Sequence, residues 1–315
     1  MAELRIVFMG TPDLAAISLE ALLAAPAVRI VAVATQPDQP KGRGLKLQPS
    51  PVKQIAVREH LPVLQPQRAR DEQFIEKLRG LKPDLIGVAA YGQILPAGIL
   101  ELPRFGCLNV HTSLLPKYRG AAPIQWAILN GDAETGVTIM KMNAGLDTGD
   151  IVAQVRTPIL PGDNSQTLHE RLGRLGAELL VKTIPAYVAG EIQPRPQANQ
   201  DATYAPKIKK SDGQIDWNQP AEAIWNRVRA MIPWPGTFTH LRADPHPLLL
   251  KIWEAEVVGR AGPAGEILEA DRGGVVVGCG SGALRVLTLQ REGGRRMSTP
   301  EFVAGHALRV GDKLE

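Results

Sequence analysis

The opening of the chain already excludes most folds. Leu4–Met9 is an apolar run interrupted only by Arg5, Gly10-Thr11-Pro12-Asp13 turns out of it, and Leu14, Ile17, Leu19 and Leu22 recur at helical spacing. Val28–Ala34 is a second apolar run. A strand, a helix and a strand in so short a span pack by a right-handed crossover, which predicts an α/β fold on a parallel, doubly wound sheet. The first turn offers only Gly10 and lacks the G-x-G-x-x-G that brings a backbone against a pyrophosphate, so no nicotinamide or flavin cofactor is expected.

Gln36–Pro51 is different material, with four prolines, two glycines, and Lys41, Arg43 and Lys46 against a single Asp38. It reads as a mobile exposed loop. Val52–Glu59 and Asp71–Leu81 read as helices, and Leu61–Leu64 and Asp84–Ala90 as strands. Further on, Ile151–Thr157 reads as a strand, and Asn164–Val188 carries Leu168, Leu172, Leu175, Leu179 and Ile184 as one apolar stripe of a long helix. Gly190–Pro206 has no period and reads as a linker. Beyond it come a helix, Ala221–Met231, and β runs at Leu248–Val258, Gly274–Val277 and Ala283–Gln290, which predict a small β-rich domain of the barrel type. The expected division is 1–189, a linker 190–207, and 208–315.

The chemistry concentrates in Asn109–Asp150. Cys107–His111 reads as a buried strand, and Asn109 and His111, two apart, leave it on one face. Thr112–Pro116 breaks the strand, Gly120 and Pro123 introduce a helix at Ile124–Leu129, and Thr135–Met142 alternates as another strand. Asp147 and Asp150 follow in a Gly-flanked loop, and spacing alone does not choose between them. Singly, His111 reads as a satisfied core histidine, Asn109 as a turn residue and Asp147 as an Asx-turn residue. Together, at strand ends where open α/β sheets hold ligands, they form a polar site. An amide and an imidazole suit an oxyanion of acyl transfer, and a carboxylate can orient the imidazole or move protons. Ser113 lacks a nucleophile elbow.

With 315 residues, 44% hydrophobic and 22% charged, the chain has room for two folded domains. No signal peptide or membrane span is read, and Cys107 and Cys279 sit in apolar runs, so the expectation is a cytoplasmic protein with reduced thiols. The six histidines and two cysteines show no metal-ligand spacing, so no metal is expected. The net charge of +4 tolerates a polyanionic partner. From Ile208 to the end there are 14 Lys/Arg and 13 Asp/Glu, a net of +1, so a nucleic-acid contact there needs a local patch. The candidate patch is Lys207, Lys209 and Lys210, whose bland reading is a soluble linker end.

Several motifs resemble the methionyl-tRNA formyltransferase family, within the wider group of formyltetrahydrofolate-using enzymes. They are Met9-Gly10-Thr11-Pro12-Asp13, Gln36-Pro37-Asp38 with Lys41-Gly42-Arg43-Gly44, and Pro49-Ser50-Pro51-Val52-Lys53. Asn109-Val110-His111 with Ser113-Leu114-Leu115-Pro116, Arg119-Gly120-Ala121-Ala122-Pro123-Ile124 and Gly145-Leu146-Asp147-Thr148-Gly149 continue the likeness. Gly213, Trp217, Val228-Arg229-Ala230 and Pro233-Trp234-Pro235-Gly236 extend it into the second domain. Leu14 departs from a frequent Phe. The resemblance implies a Rossmann-like catalytic domain with a smaller OB-like β-barrel domain that helps to hold tRNA. It implies Asn109, His111 and Asp147 as the catalytic set, Asp147 being preferred to Asp150 on this ground alone. It implies that Ser113, Leu114, Leu115 and Pro116 line a site for 10-formyltetrahydrofolate as cosubstrate. Lys41, Arg43 and Lys46 would approach initiator methionyl-tRNA, and the protein would act as a monomer without a metal.

Rival readings share the N-terminal motifs: a folate-dependent sugar N-formyltransferase, a formyltetrahydrofolate hydrolase, and a tRNA-binding module with a dead site. The basic loop and the second domain argue against the first two, since a small acceptor does not need them. The complete Asn/His/Asp set argues against the third.

Overall fold

The apolar run at the start of the chain forms β1 (Leu4–Gly10), an inner strand of a seven-stranded sheet. After it come α1 (Asp13–Ala24), β2 (Val28–Ala34), β3 (Gln39–Lys41), β4 (Lys46–Gln48), α2 (Pro51–Arg58), β5 (Val63–Leu64) and α3 (Glu72–Leu81). Then follow β6 (Leu85–Ala89), α4 (Ala97–Leu100), β7 (Cys107–His111), β8 (Arg119–Gly120), α5 (Pro123–Leu129), β9 (Glu134–Lys141), β10 (Asp150–Pro158), α6 (Ser165–Val188) and β11 (Tyr204–Ala205). This computed structural model describes residues 3–41, 46–242, 246–271, 273–306 and 308–315. The chain forms two units, one of Met1–Pro123, Glu134–Pro158 and His169–Ala205, the other of Ile124–Ala133, Ile159–Leu168 and Pro206–Glu315.

In the first unit the sheet order is β10-β9-β7-β6-β1-β2-β5. The strands from β5 to β7 are parallel, and β9 and β10 run antiparallel at one edge. Every residue of β6 is buried, which is why the inner strands read as continuous apolar runs. The chain builds outward from β1 through β2, then returns to the other side of β1 with β6. That reversal opens a crevice at the carboxyl ends of the strands, where α/β sheets hold ligands.

Two stretches differ from the sequence reading. The Gln36–Pro51 loop is not wholly irregular, because β3 and β4 pair antiparallel through Gln39–Gln48, Pro40–Leu47 and Lys41–Lys46. A two-stranded ribbon consists only of edges, where a proline can place its missing N–H on the unpaired side. Its base is anchored. Asp38 accepts from Lys53 Nζ at 2.7 Å and Gln65 Nε2 at 2.8 Å, and Gln36 Nε2 donates to the Tyr91 carbonyl at 3.1 Å. The lysine contact, then the glutamine, holds the Asp38 carboxyl below its ordinary range. Residues 190–207, expected as a bare connector, are hydrogen-bonded into the first unit as far as Ala205. Arg195 exchanges backbone bonds with Ile151, and β11 pairs with β8. They lack an apolar period because their backbone pairs with the unit's edge and no helical face is packed.

The second unit contains α7 (Ala221–Ala230), β12 (Thr237–Leu241), β13 (Leu248–Val258), β14 (Ile267–Asp271), β15 (Gly274–Gly278), β16 (Ala283–Arg291), β17 (Arg296–Ser298) and α8 (Thr299–Gly305). The antiparallel order is β12-β13-β16-β15-β14, with β17 also on β16. The C-terminal tail joins the two outer strands. His240 and Glu315 exchange backbone bonds, and Ile267 N donates to the Asp312 carbonyl at 2.9 Å. This closure removes exposed edges, as a barrel must. Ile224 and Val228 of α7, Ile252, Val277, Leu284 and Phe302 fill the interior. Among the described residues no helix is long and apolar enough to cross a membrane.

Candidate active site

The site is built on β7. Leu108 and Val110 are buried while Asn109 and His111 share the opposite face, as the two-residue period requires. Helix α6 lies close on this strand because Gly176 has no side chain: a Cβ there would stand 2.7 Å from Val110 Cγ1. Asn109 is partly exposed, lies between Val88 and Met140 in the sheet, and makes no side-chain hydrogen bond among the described residues. His111 is 6% exposed.

The imidazole is held by one atom and faced by another. Nε2 lies 3.0 Å from the Tyr118 carbonyl, an acceptor only, so Nε2 carries the hydrogen. Nδ1 lies 3.7 Å from Asp147 Oδ2, beyond hydrogen-bond reach, so the carboxylate attracts the ring only when the imidazole carries a second proton. The Asp147 carboxylate is fixed instead by the Gly120 N–H at 2.8 Å. Asp147 has φ 52°, and Gly120 has φ 123° with the Ala205 carbonyl 2.7 Å from where a Cβ would be. Side chains other than glycine are strained at that position. Of the two carboxylates the sequence left open, Asp147 is the one that faces the histidine. Asp150 begins β10, opposite Lys141. The expected orienting contact from Asp147 to the imidazole is therefore made by the Tyr118 backbone.

The stretch after β7 is pinned by Thr138, which faces His111 across β9. The Thr138 hydroxyl donates to the Ser113 carbonyl at 2.7 Å and accepts from Leu115 N at 3.1 Å and Gln154 Nε2 at 2.9 Å. Ser113 is fully buried and spends its hydroxyl on the Lys117 carbonyl at 2.6 Å. Leu115 packs inward on Met140 and Ile151. Of the four residues expected to line a folate site, only Leu114 and Pro116 retain side-chain surface for a ligand. Cys107, at the start of β7, is buried, and burial pushes its thiol up to about 12. No group of three or more His, Cys, Asp or Glu suited to a metal ion occurs among the described residues.

The expected nucleic-acid residues fall in two places. Arg43 lies outside the described residues, and the backbones of Lys41 and Lys46 form the last pair of the β3–β4 ladder. Lys207, Lys209 and Lys210 are exposed in the second unit. The sequence reading missed a row across the barrel: Phe238, Lys251, Gln290 and Arg296 are successive cross-strand partners. The Arg296 guanidinium lies 3.4 Å over the Trp253 ring, and Lys251 Nζ is 5.7 Å from it. Interleaved cations and aromatics of this kind suit nucleic acid. The signal was available as alternation in β13, but its partners come from strands remote in sequence.

A doubly wound unit with a polar site at the carboxyl edge of its sheet is followed in the same chain by a closed barrel. Residues 4–184 match the family described as formyl transferase, and residues 207–307 match the formyl transferase C-terminal domain. The chain belongs to the formyl transferase family and, within it, to the methionyl-tRNA formyltransferases. It is 48% identical over 314 residues to the methionyl-tRNA formyltransferase of Citrifermentans bemidjiense, covering 100% of this chain and 97% of that one. With that of Caldanaerobacter subterraneus subsp. tengcongensis it shares 47% over 315 residues, 99% of this chain and 100% of that one. Solved structures similar in fold include the N-formyltransferase from Helicobacter canadensis in complex with folinic acid and dTDP-3-aminofucose. Its TM-score is 0.65 at 21% identity, covering 92% of this chain and 100% of that one. HypX from Aquifex aeolicus in complex with tetrahydrofolic acid gives 0.62 at 18% identity and covers 99% of this chain. The chain spans about half the length of HypX, 51%.

Proposed function

We propose that this chain transfers the formyl group of 10-formyltetrahydrofolate to the α-amine of methionyl initiator tRNA, with Asn109, His111 and Asp147 as the catalytic set. The observation that supports the site assignment is that Asn109 and His111 leave β7 on one face and Asp147 lies 3.7 Å from His111. The full-length likeness to methionyl-tRNA formyltransferases supports the acceptor. Leu114 and Pro116 are the surface offered to the folate by the loop after β7.

The geometry divides the labour. The amine nitrogen bonds to the formyl carbon, and the carbonyl electrons move onto its oxygen. The Asn109 amide, without another partner among the described residues, donates to that oxygen. Because Nε2–H of His111 is committed to Tyr118, only Nδ1 can exchange a proton with the reacting groups. Neutral His111 is therefore a base at Nδ1, and it becomes a donor to the oxyanion only as the imidazolium. Asp147 at 3.7 Å stabilises that cation. The amine gives up a proton to Nδ1 of His111, the oxyanion electrons re-form the carbonyl as the C–N10 bond breaks, and N10 takes that proton in place of the formyl group. Lys41, Arg43 and Lys46, with Lys207, Lys209, Lys210 and the Lys251 and Arg296 side of the barrel, are the proposed contacts to tRNA phosphates.

An acceptor panel tests the reading. Free methionine, charged initiator tRNA, charged elongator tRNA and an amino sugar nucleotide are each incubated with formyl-folate. Rapid formylation of charged initiator tRNA alone is expected. Formylation of the amino sugar, or donor hydrolysis without acceptor, refutes the tRNA reading.

A further inference from the structure

We propose that Gln197 is a positioning residue for the transfer: its carboxamide ties the buried Arg119 guanidinium to the backbone of the Asp147 loop and thereby holds the Asp147 carboxylate beside His111. The inference rests on the role proposed above for Asp147. Gln197 lies in the stretch that the sequence presents as a connector, yet it is 8% exposed. Its Nε2 donates both hydrogens to the loop, to the Asp147 carbonyl at 2.8 Å and the Gly149 carbonyl at 2.7 Å. Its Oε1 accepts from Arg119 Nε at 3.0 Å and Nη2 at 2.8 Å. The amide is thus fully engaged by these two segments.

Arg119 is 3% exposed and has no carboxylate partner among the described residues. Its Nη2 also donates to Asn199 Oδ1 at 2.8 Å. A buried cation satisfied by amide oxygens polarises them, which strengthens the next bond in the chain, here from Gln197 to the loop carbonyls. The three residues 118–120 then act on the site at three points. The Tyr118 carbonyl holds His111, the Arg119 guanidinium holds Gln197, and the Gly120 N–H holds the Asp147 carboxylate. Asp147 sits at φ 52°, a conformation that a non-glycine residue keeps only when its surroundings enforce it. Gln197 grips the carbonyl of that very residue. A glutamine that merely filled the core would not need both hydrogens on one catalytic loop.

Two variants test this in the full-length protein. Gln197→Met removes all four hydrogen bonds at similar volume. Gln197→Glu keeps acceptors for Arg119 but cannot donate to the two carbonyls, so it isolates the grip on the loop even if the methionine variant folds poorly. Each is measured alone and with Asp147→Asn, by single-turnover formylation of charged initiator tRNA and by tetrahydrofolate binding. A misplaced catalytic group typically costs on the order of 100-fold in rate. The expected result is a fall of about 10- to 100-fold in the formylation rate for Gln197→Glu, with tetrahydrofolate affinity within about twofold, and a further loss below about twofold once Asp147 is asparagine. A merely structural role would cost as much in both backgrounds, and that additivity overturns the inference. Wild-type rates in Gln197→Glu, with Asp147→Asn impaired, overturn the inference alone. Wild-type rates in Asp147→Asn overturn the assignment of Asp147 as well.

Discussion

Thr138→Val is the sharpest test of how the loop beside His111 is held. Valine keeps the shape of the threonine side chain and removes the hydroxyl. That hydroxyl is fully buried and serves the Ser113 carbonyl, Leu115 N–H and Gln154 amide. In the variant Gln154 retains its bond to the Leu115 carbonyl at 2.9 Å, but the Ser113 carbonyl and the Leu115 N–H are left without partners. Each buried unsatisfied group costs about 1–3 kcal/mol, so the two together cost about 2–6 kcal/mol. Ser113 at 0% and Leu115 at 3% exposure leave water little access, so the destabilisation should not fall below about 2 kcal/mol. With a urea dependence of about 2–3 kcal/mol per M, the midpoint falls by about 0.7–3 M. Thr138→Ser is the control: it keeps the hydroxyl and deletes one methyl, worth about 0.8 kcal/mol. The probe matters, because all five tryptophans lie in the second unit while Thr138 and its partners lie in the first. Far-UV circular dichroism, with amide exchange in peptides covering β7 and the following loop, reads the correct unit. A Thr138→Val protein with a midpoint within about 0.3 M of wild type and unchanged exchange at Leu115 would refute the reasoning.

Other perturbations probe the site and its supports separately. Asn109→Ala removes an oxyanion donor without adding charge and should lower kcat by about 2.7–4 kcal/mol of transition-state stabilisation, with KM for tRNA little changed; near-normal turnover sinks that role. Gly176→Ala places a methyl 2.7 Å from Val110 Cγ1, and the overpacking should cost about 1–3 kcal/mol, seen as a lower melting temperature; an unchanged melt would mean that α6 moves freely off β7. Burial pushes the Cys107 thiol up to about 12 and Cys279 up to about 11, so at pH 8 both are almost wholly protonated in the folded protein. Alkylation should be slow in buffer and complete in urea, and rapid native labelling would contradict the burial. Arg43→Ala should lower kcat/KM for charged tRNA and reduce the magnitude of the salt slope by roughly 0.7–0.9 for each phosphate no longer neutralised, leaving folate binding intact; an unchanged slope returns the loop to ordinary surface.

What was legible from the sequence was whatever side-chain type and period encode. β6 and β1 from Ile6 onward are buried on both faces, so they read as continuous apolar runs, and α6 shows its stripe at helical spacing. The shared face of Asn109 and His111 follows from strand geometry alone. The site's likeness to a known family was legible for the same reason, since motifs are side-chain patterns. Short elements were not: β12, β14, β17 and α8 are too brief, or too interrupted by glycine and proline, to show a period.

Other features became visible only when the chain was folded. The motif resemblance already preferred Asp147 to Asp150, but the geometry that sets Asp147 beside the histidine depends on a turn with φ 52° and on the Gly120 N–H, which lies 27 residues away in the chain. The histidine is oriented by the Tyr118 carbonyl, and Gln197 reaches Asp147 across 50 residues. The barrel is closed by the backbone of the last four residues. In each case at least one partner is a peptide group. Every residue except proline carries the same N–H and C=O, so the sequence alone marks none of them as functional. Which peptide groups meet which side chains is set by long-range strand order and by local positive-φ turns, and those are properties of the tertiary structure.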